Sequence, residues 1–367
     1  MASSMTGRER ILAALRKQPV DRIPWVPLIV PYTIAGFPDN APHVIPEFME
    51  YIGCDCFARH GRVVNVIPFP KPFSRIKYSL EYKDGDRILR IQTARGTLES
   101  RERCMGDGRI PVYIKHLVST VEDLKVFLFY LENTILMVRK DLRLYERERS
   151  AIGDRGILSV NVEFTPIQSF LEQLSGLENT YLLMTEAPEI FDRVTDLMHT
   201  RNMYKIKKMA ESPAEVYIHY ENTSSTMMSP RIFRKYCLPQ LNEISDLLHD
   251  HGKLHLIHMC GKLSAFRDVF QQCRFDGMTD VAPSPTGDLE LWEALELYPG
   301  KVITGGIDAT TFAMSSPATC YERTAEIITK IKAIPGALLG SGDSTPCGTS
   351  LENFKAIRRA LDDVGMV

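Results

Sequence analysis

Residues 230–263 read "PRIFRKYCLPQLNEISDLLHDHGKLHLIHMCGKL". The part from 230 to 252 has the apolar spacing of a helix, and "KLHLIHMC" (253–260) is a strand-like run that stops on a histidine, a methionine and a cysteine. The same alternation recurs along the chain. Strand-like runs that end in polar residues or glycine are "IPWVPLIV" (23–30), "CDCFARH" (54–60), "ILSVNVEF" (157–164) and "EVYIHYEN" (215–222), then 253–260 itself. "FDGMTDVAP" (275–283), "KVITGGID" (301–308) and "ALLGSGD" (337–343) follow, with a further helical pattern at 316–334. Strand alternating with helix implies parallel βαβ units, and eight of them predict an α/β protein built as a (β/α)8 TIM barrel. An open doubly wound sheet is the alternative that the pattern leaves. The opening segment, with "TGRERILAALRKQ" (6–18), adds an N-terminal helical extension.

One segment breaks the rhythm. "IKYSLEYKDGDRILRIQTARGTLESRERC" (76–104) alternates with period two around the turn residues "KDGD", and predicts a β-hairpin inserted between the second and third barrel strands. No linker or low-complexity stretch divides the chain, so residues 1–367 are read as a single barrel domain carrying that insertion.

Composition narrows the function. With 44 Lys and Arg against 46 Asp and Glu, the formal charge is −2, and no basic block favours nucleic acid. No run reaches the ~18 apolar residues of a membrane span, and the basic start lacks the apolar stretch of a signal peptide. Eight cysteines without a secretion signal point to a reducing, cytoplasmic setting rather than a disulfide framework.

Side chains i and i+2 on a strand share a face, so His258 and Cys260 point the same way while Met259 points the other. At the C-terminal end of a barrel strand that face opens into the mouth, where a barrel enzyme keeps its chemistry. An imidazole and a thiolate there make half of a zinc site; a buried core histidine beside a buried cysteine is the plainer alternative. Loops from any strand can reach the same mouth, and the eighth run leads into "SGDSTPCGTSLENF" (341–354), which offers Asp343 at the strand end and Cys347 in the loop. Two thiolates and one histidine would leave one zinc position open, the arrangement of a catalytic ion.

Other strand-end polar residues are Glu221, able to reach a metal or a substrate proton, and Asp308 in "GGID", where Gly305 and Gly306 leave room for close approach. His60 and Glu163 end the second and third runs and read as structural when taken alone. His249 and His251 fall at a helix end, and His255 is out of phase with Cys260. No phosphate-binding glycine motif is present, so nucleotide binding is not expected.

"MTGRERILAALRKQPVDRIPWVP" (5–27), "HMCGKL" (258–263), "VAPSPTGDLELWEAL", "KVITGGID" and "CGTSLENFKAI" together resemble the uroporphyrinogen decarboxylase superfamily, and most closely its cobalamin-dependent methyltransferase branch. The resemblance runs through nearly the whole chain and independently implies the barrel. It also implies a zinc held by His258, Cys260 and a residue after the eighth strand. Registering that loop on "GTSLEN" puts Asp343 where the thiol-methylating enzymes carry cysteine, with Cys347 four residues further on. Cys347 is taken as the third ligand, with the Asp343 carboxylate as the alternative. The decarboxylases bind a polycarboxylate through arginines near the N-terminus. Here 25–48 ("WVPLIVPYTIAGFPDNAPHVIPEF") has no arginine and suits an apolar or aromatic substrate.

The resemblance therefore implies a zinc-dependent methyltransferase that exchanges a methyl group with a corrinoid. Composition of the 25–48 segment and the Asp343 alternative favour O-demethylation of a methoxylated, aromatic compound, with Glu221, Asp308 and Asp343 as catalytic candidates. Transfer from methylcobalamin to a thiol of the coenzyme M type, porphyrinogen decarboxylation, and a barrel with only a structural metal are the alternatives. No cobalamin-binding "D-x-H-x-x-G" element occurs in the chain, so the corrinoid is expected on a separate partner protein. A homodimer is left open, and neither nucleic acid nor membrane is expected as a partner.

Overall fold

Prolines decide how the barrel begins. The run 23–30 contains Pro24 and Pro27, which have no N–H to give to a ladder. In the computed structural model it forms isolated parallel bridges, Trp25 with Leu339 and Leu28 with Ser344, instead of a regular strand. Val26 N–H donates to the Leu339 carbonyl at 2.8 Å, and Leu339 N–H donates to that of Pro24 at 2.9 Å. On the other side the Trp25 carbonyl accepts from Asp55 N–H at 2.8 Å. The first of the eight expected strands is thus an extended run with few ladder bonds.

The other seven are regular: β1 (Cys56–Gly61), β2 (Gly156–Val162), β3 (Val216–Tyr220), β4 (Leu254–His258), β5 (Gly277–Val281), β6 (Val302–Ile307) and β7 (Ala337–Ser341). They form one sheet in chain order, and every neighbouring pair is parallel. Trp25 lies beside β7 and is bonded to the residue before β1, so 23–30 stands where the eighth stave of the TIM-type barrel belongs.

The structure describes residues 5–37, 42, 44–105 and 110–367. They divide into two compact units. The barrel strands belong to the first, which comprises Met1–Val63, Asp141–Val162 and Ser212–Val367. Val26, Phe57, Ile157, Val216, Ile218, Leu256, Val302 and Leu338 form its apolar core together with Ile11, Leu12, Ala14 and Leu15 of the N-terminal helix Gly7–Leu15. Thr6 and Glu9 cap that helix reciprocally. Arg10 fixes its position from within: it binds Asp21 at 2.6 Å and the buried Asp55 at 2.5 Å, and Arg22 binds Asp55 at 3.0 Å.

Above this apolar layer the inward side chains turn polar: Arg59 on β1, Ser159 on β2, His258 on β4, Asp280 on β5 and Thr304 on β6 are all buried. One irregularity aims a residue into that layer. Between the register pairs Met278–Ile303 and Val281–Gly305, two residues of β5 face one of β6. The second, Asp280, has a left-handed backbone with φ of 65°. Such a bulge re-aims a side chain beside a functional site.

The second unit holds Val64–Lys140 and Glu163–Glu211. Lys77–Lys83 and Asp86–Thr93 form the expected hairpin, and Asp84 and Gly85 both have the positive φ of a two-residue turn. The hairpin is larger than the sequence suggested: Gly96–Met105 and Ile110–Lys115 extend it to a four-stranded antiparallel sheet. Val64–Pro70 pairs with Thr134–Lys140, and helices Val121–Glu132 and Pro188–Ala210 belong to the same unit. The single-domain reading thus meets a chain that divides in two, with the insertion as part of a unit of its own. Glu163 pairs there with Lys205 at 2.6 Å.

Candidate metal centre

His258 is the last residue of β4, and register sets it beside Tyr220 of β3 and Thr279 of β5. Its ring lies 5.0 Å from that of Tyr220. Cys260 follows two residues later, as the chain leaves the sheet. Gly261 makes that exit possible: a side chain there would run into Ser224 and, at 2.7 Å, the Thr223 carbonyl of the loop after β3. Ser225 N–H then donates to the Lys262 carbonyl at 2.9 Å, so the two loops are tied together. Asp343 arrives from the end of β7, where Gly342 N–H donates to the Ile307 carbonyl at 2.7 Å and Thr345 N–H to that of Leu28 at 2.9 Å.

A nitrogen, a sulfur and an oxygen from His258, Cys260 and Asp343 all lie within 4.8 Å of one another. Among the described residues this is the one such grouping of metal-binding side chains. It opens on a cavity of about 420 Å³. Leu28, Val30, Tyr220 and Met227 supply apolar and aromatic lining, Asn222, Ser224 and Ser344 neutral polar groups, and no lysine or arginine is among the described residues that line it.

Electrostatics favour a cation here. Burial raises the Cys260 thiol pKa, and the carboxylates of Asp343 and Asp280 raise it further. A divalent ion between these donors would reverse both effects, since a coordinating thiol is deprotonated. Histidine nitrogen, cysteine sulfur and carboxylate oxygen are all ordinary zinc ligands, so the residues fit the ion that the sequence suggested. Burial also pushes the Tyr220 hydroxyl up to about 12, so Tyr220 remains a proton donor at neutral pH.

Sequence reasoning missed Asp280. Its carboxylate accepts from His258 Nδ1 at 2.6 Å and pairs with the Arg59 guanidinium through the same oxygen, Oδ2. Complete burial would raise its pKa, but Arg59 and the His258 hydrogen bond outweigh that and hold it at about 2. The sequence carries no signal for it: the inward Leu256 and His258 pair with Gly277 and Thr279, so in regular alternation Asp280 would face away, and only the bulge aims it inward. Tyr220 likewise went unnoticed inside an apolar run.

Several expected site residues lie elsewhere. Cys347, taken as the third ligand, is not in the cluster: a methyl group added at Gly36 would meet its sulfur at 2.7 Å, so the thiol packs on that turn. Glu221 does not line the cavity, because strand alternation brings Tyr220 and Asn222 there instead. It is fully buried and faces His219 at 3.2 Å. Asp308 serves as a helix cap, accepting from Thr311 N–H at 2.7 Å and from the Thr286 hydroxyl. His60 faces Glu148 at 3.5 Å, His249 pairs with Asp276 at 2.9 Å, and His255 is buried with Nδ1 2.9 Å from the Ser245 hydroxyl. Part of the arginine-free segment, 38–41 and 43, lies outside the described residues.

The fold is thus a parallel barrel whose C-terminal rim gathers nitrogen, sulfur and oxygen donors suited to a metal ion. Residues 105–364 match the model of the uroporphyrinogen decarboxylase (URO-D) family, and the chain belongs to that family. Its curated relatives are methyltransferases. A methylcobamide:CoM methyltransferase MtaA of Methanosarcina barkeri is 26% identical over a match that spans 48% of this chain and 49% of that protein. Another MtaA, from Methanosarcina barkeri strain Fusaro, is 23% identical with 98% of this chain and 99% of the relative covered. Among solved structures, a methyltransferase from Methanosarcina mazei superposes with a TM-score of 0.63 at 16% identity, over 98% of this chain and 99% of that one. No helix among the described residues is long and apolar enough to cross a membrane.

Proposed function

We propose that this chain is a zinc-dependent corrinoid methyltransferase that removes a methyl group from a methoxylated, aromatic compound and passes it to a corrinoid protein. The observation that carries this reading is the donor set, in which a carboxylate, Asp343, stands with one histidine and one cysteine. His258, Cys260 and Asp343 would hold the zinc, and three protein ligands keep a fourth position for substrate. Zinc bound there supplies a Lewis acid that draws charge from an ether oxygen, and a single thiolate among the donors leaves it more electron-poor than two would.

The chain's own groups do the rest. Leu28, Val30 and Met227 offer apolar contact to a ring, and the described lining residues include no lysine or arginine to select an anionic substrate. In the reaction the methyl carbon–oxygen bond breaks with its electron pair left on oxygen, and the methyl group is taken up by the reduced corrinoid of the partner protein. The oxygen then needs a proton or a hydrogen bond, and Tyr220, protonated beside His258, is the donor placed to give one. Docking of the corrinoid protein at the barrel mouth, a cytoplasmic location and the absence of membrane or nucleic-acid partners belong to the same proposal.

A second reading has its own support. The relatives are named methylcobamide:CoM methyltransferases, which favours transfer from the corrinoid to a thiol. One experiment separates the two. The zinc-loaded chain is mixed with a reduced corrinoid protein and methoxylated aromatics, and methylation is followed by the visible spectrum. Methylated corrinoid formed with an ether, and lost in the Cys260→Ser variant, supports the proposal. No reaction with any ether, together with fast demethylation of methylcobalamin by a small thiol, overturns it in favour of the second reading.

A further inference from the structure

We infer that Arg59 and Asp280 are positioning residues that preset His258 for metal binding, an inference that rests on the zinc reading above. Asp280 Oδ2 accepts from His258 Nδ1 at 2.6 Å and, on the same oxygen, from Arg59 Nη1. A carboxylate can only accept here, so the imidazole carries its proton on Nδ1 and its Nε2 lone pair is left for a metal. A hydrogen bond from the far ring nitrogen fixes tautomer and ring orientation and makes the ligating nitrogen more basic.

Three features set this apart from an ordinary core ion pair. An Arg–Asp pair built for stability alone takes the two-pronged form, with one N–H to each oxygen. Here Arg59 and His258 converge on a single oxygen, while Asp280 Oδ1 has no hydrogen-bond partner among the described residues. Asp280 reaches that point only through the β5 bulge and a left-handed backbone, a conformation uncommon for a residue other than glycine. Charge also balances around the site. Zinc and the Arg59 guanidinium together match the Cys260 thiolate and the carboxylates of Asp343 and Asp280. Without Arg59, the buried Asp280 would face the site as an uncompensated anion.

The test is zinc affinity of the full chain, measured by competition with a chromophoric chelator. Asp280→Asn, which suits the same backbone and keeps the shape, is predicted to weaken zinc binding about 10–100-fold. In a His258→Ala background the same substitution should change affinity less than about twofold, because the positioned ligand is gone. An equal loss in both backgrounds, or Asp280→Asn within twofold of the unaltered protein, would overturn the inference. If Asp280→Asn does not fold, nitrogen-15 NMR of histidine-labelled, zinc-loaded unaltered protein decides. Coordination through Nε2 with the proton on Nδ1 supports the relay, and coordination through Nδ1 overturns it. An unaltered protein that binds no zinc fails the parent reading and the relay together; normal zinc binding with an insensitive Asp280 fails the relay alone.

Discussion

Cys260 and Asp343 are both half-buried, and burial together with the nearby carboxylate keeps the Cys260 sulfur protonated unless a cation joins them. At the scale of single residues, the proposed zinc would therefore take Asp343 as its third ligand, because Asp343 stands in the donor grouping while the Cys347 sulfur lies against the turn at Gly36. Asp343→Asn should cut zinc affinity at least tenfold, and Cys347→Ser should leave it within about twofold, both read from metal retained after dialysis against a chelator. The reverse order would mean that the loop binds through Cys347. His258 and Cys260 were legible because two soft donors at i and i+2 at a strand end are unusual. Asp343 was legible only as an alternative, since the sequence shows two candidate donors in one loop but not which way the loop turns. Asp280 was not legible at all, because a lone aspartate on a strand carries no sign of the bulge that aims it inward.

Elements show the same division between pattern and packing. Five of the seven regular strands fall within the runs expected of them, β1 and β2 each overrun theirs by one residue, and only the proline-bearing run 23–30 lost its ladder. The N-terminal helix was visible in the opening segment, but the Arg10–Asp21 and Arg10–Asp55 contacts that seat it join positions too far apart in sequence to be paired by pattern. Burial raises the Asp21 pKa, and its bonds from Arg10 and from backbone N–H groups more than offset this, leaving it near 2. A carboxyl whose folded pKa lies below its ordinary value of 3.8 stabilises the fold above that pH, and the contribution fades as pH falls toward 2. Asp21→Asn should thus cost about 2 kcal/mol at neutral pH, with the gap narrowing below pH 4. Urea titrations of both proteins across pH 2–7 would check this. A gap that stays constant down to pH 2 would show that the helix is seated without help from the charge.

For the whole molecule, the site is a product of barrel order. His258 ends β4 with Cys260 just beyond it, Asp343 follows the end of β7, and the gathering of these strand ends at one rim brings the three donors together. The repeating strand and helix pattern made that convergence readable in the sequence. It did not reveal that 64–140 and 163–211 form a compact unit of their own, because two separate stretches of chain fold together there and only the hairpin at its centre has a local signature. In the proposed site the rim would hold one zinc through a single sulfur. X-ray absorption at the zinc edge of the purified full chain tests it most directly. One sulfur neighbour at ~2.3 Å, with the remaining shell of nitrogen and oxygen at about 2.0–2.2 Å, is expected, and two sulfur neighbours would rule out a single-thiolate site.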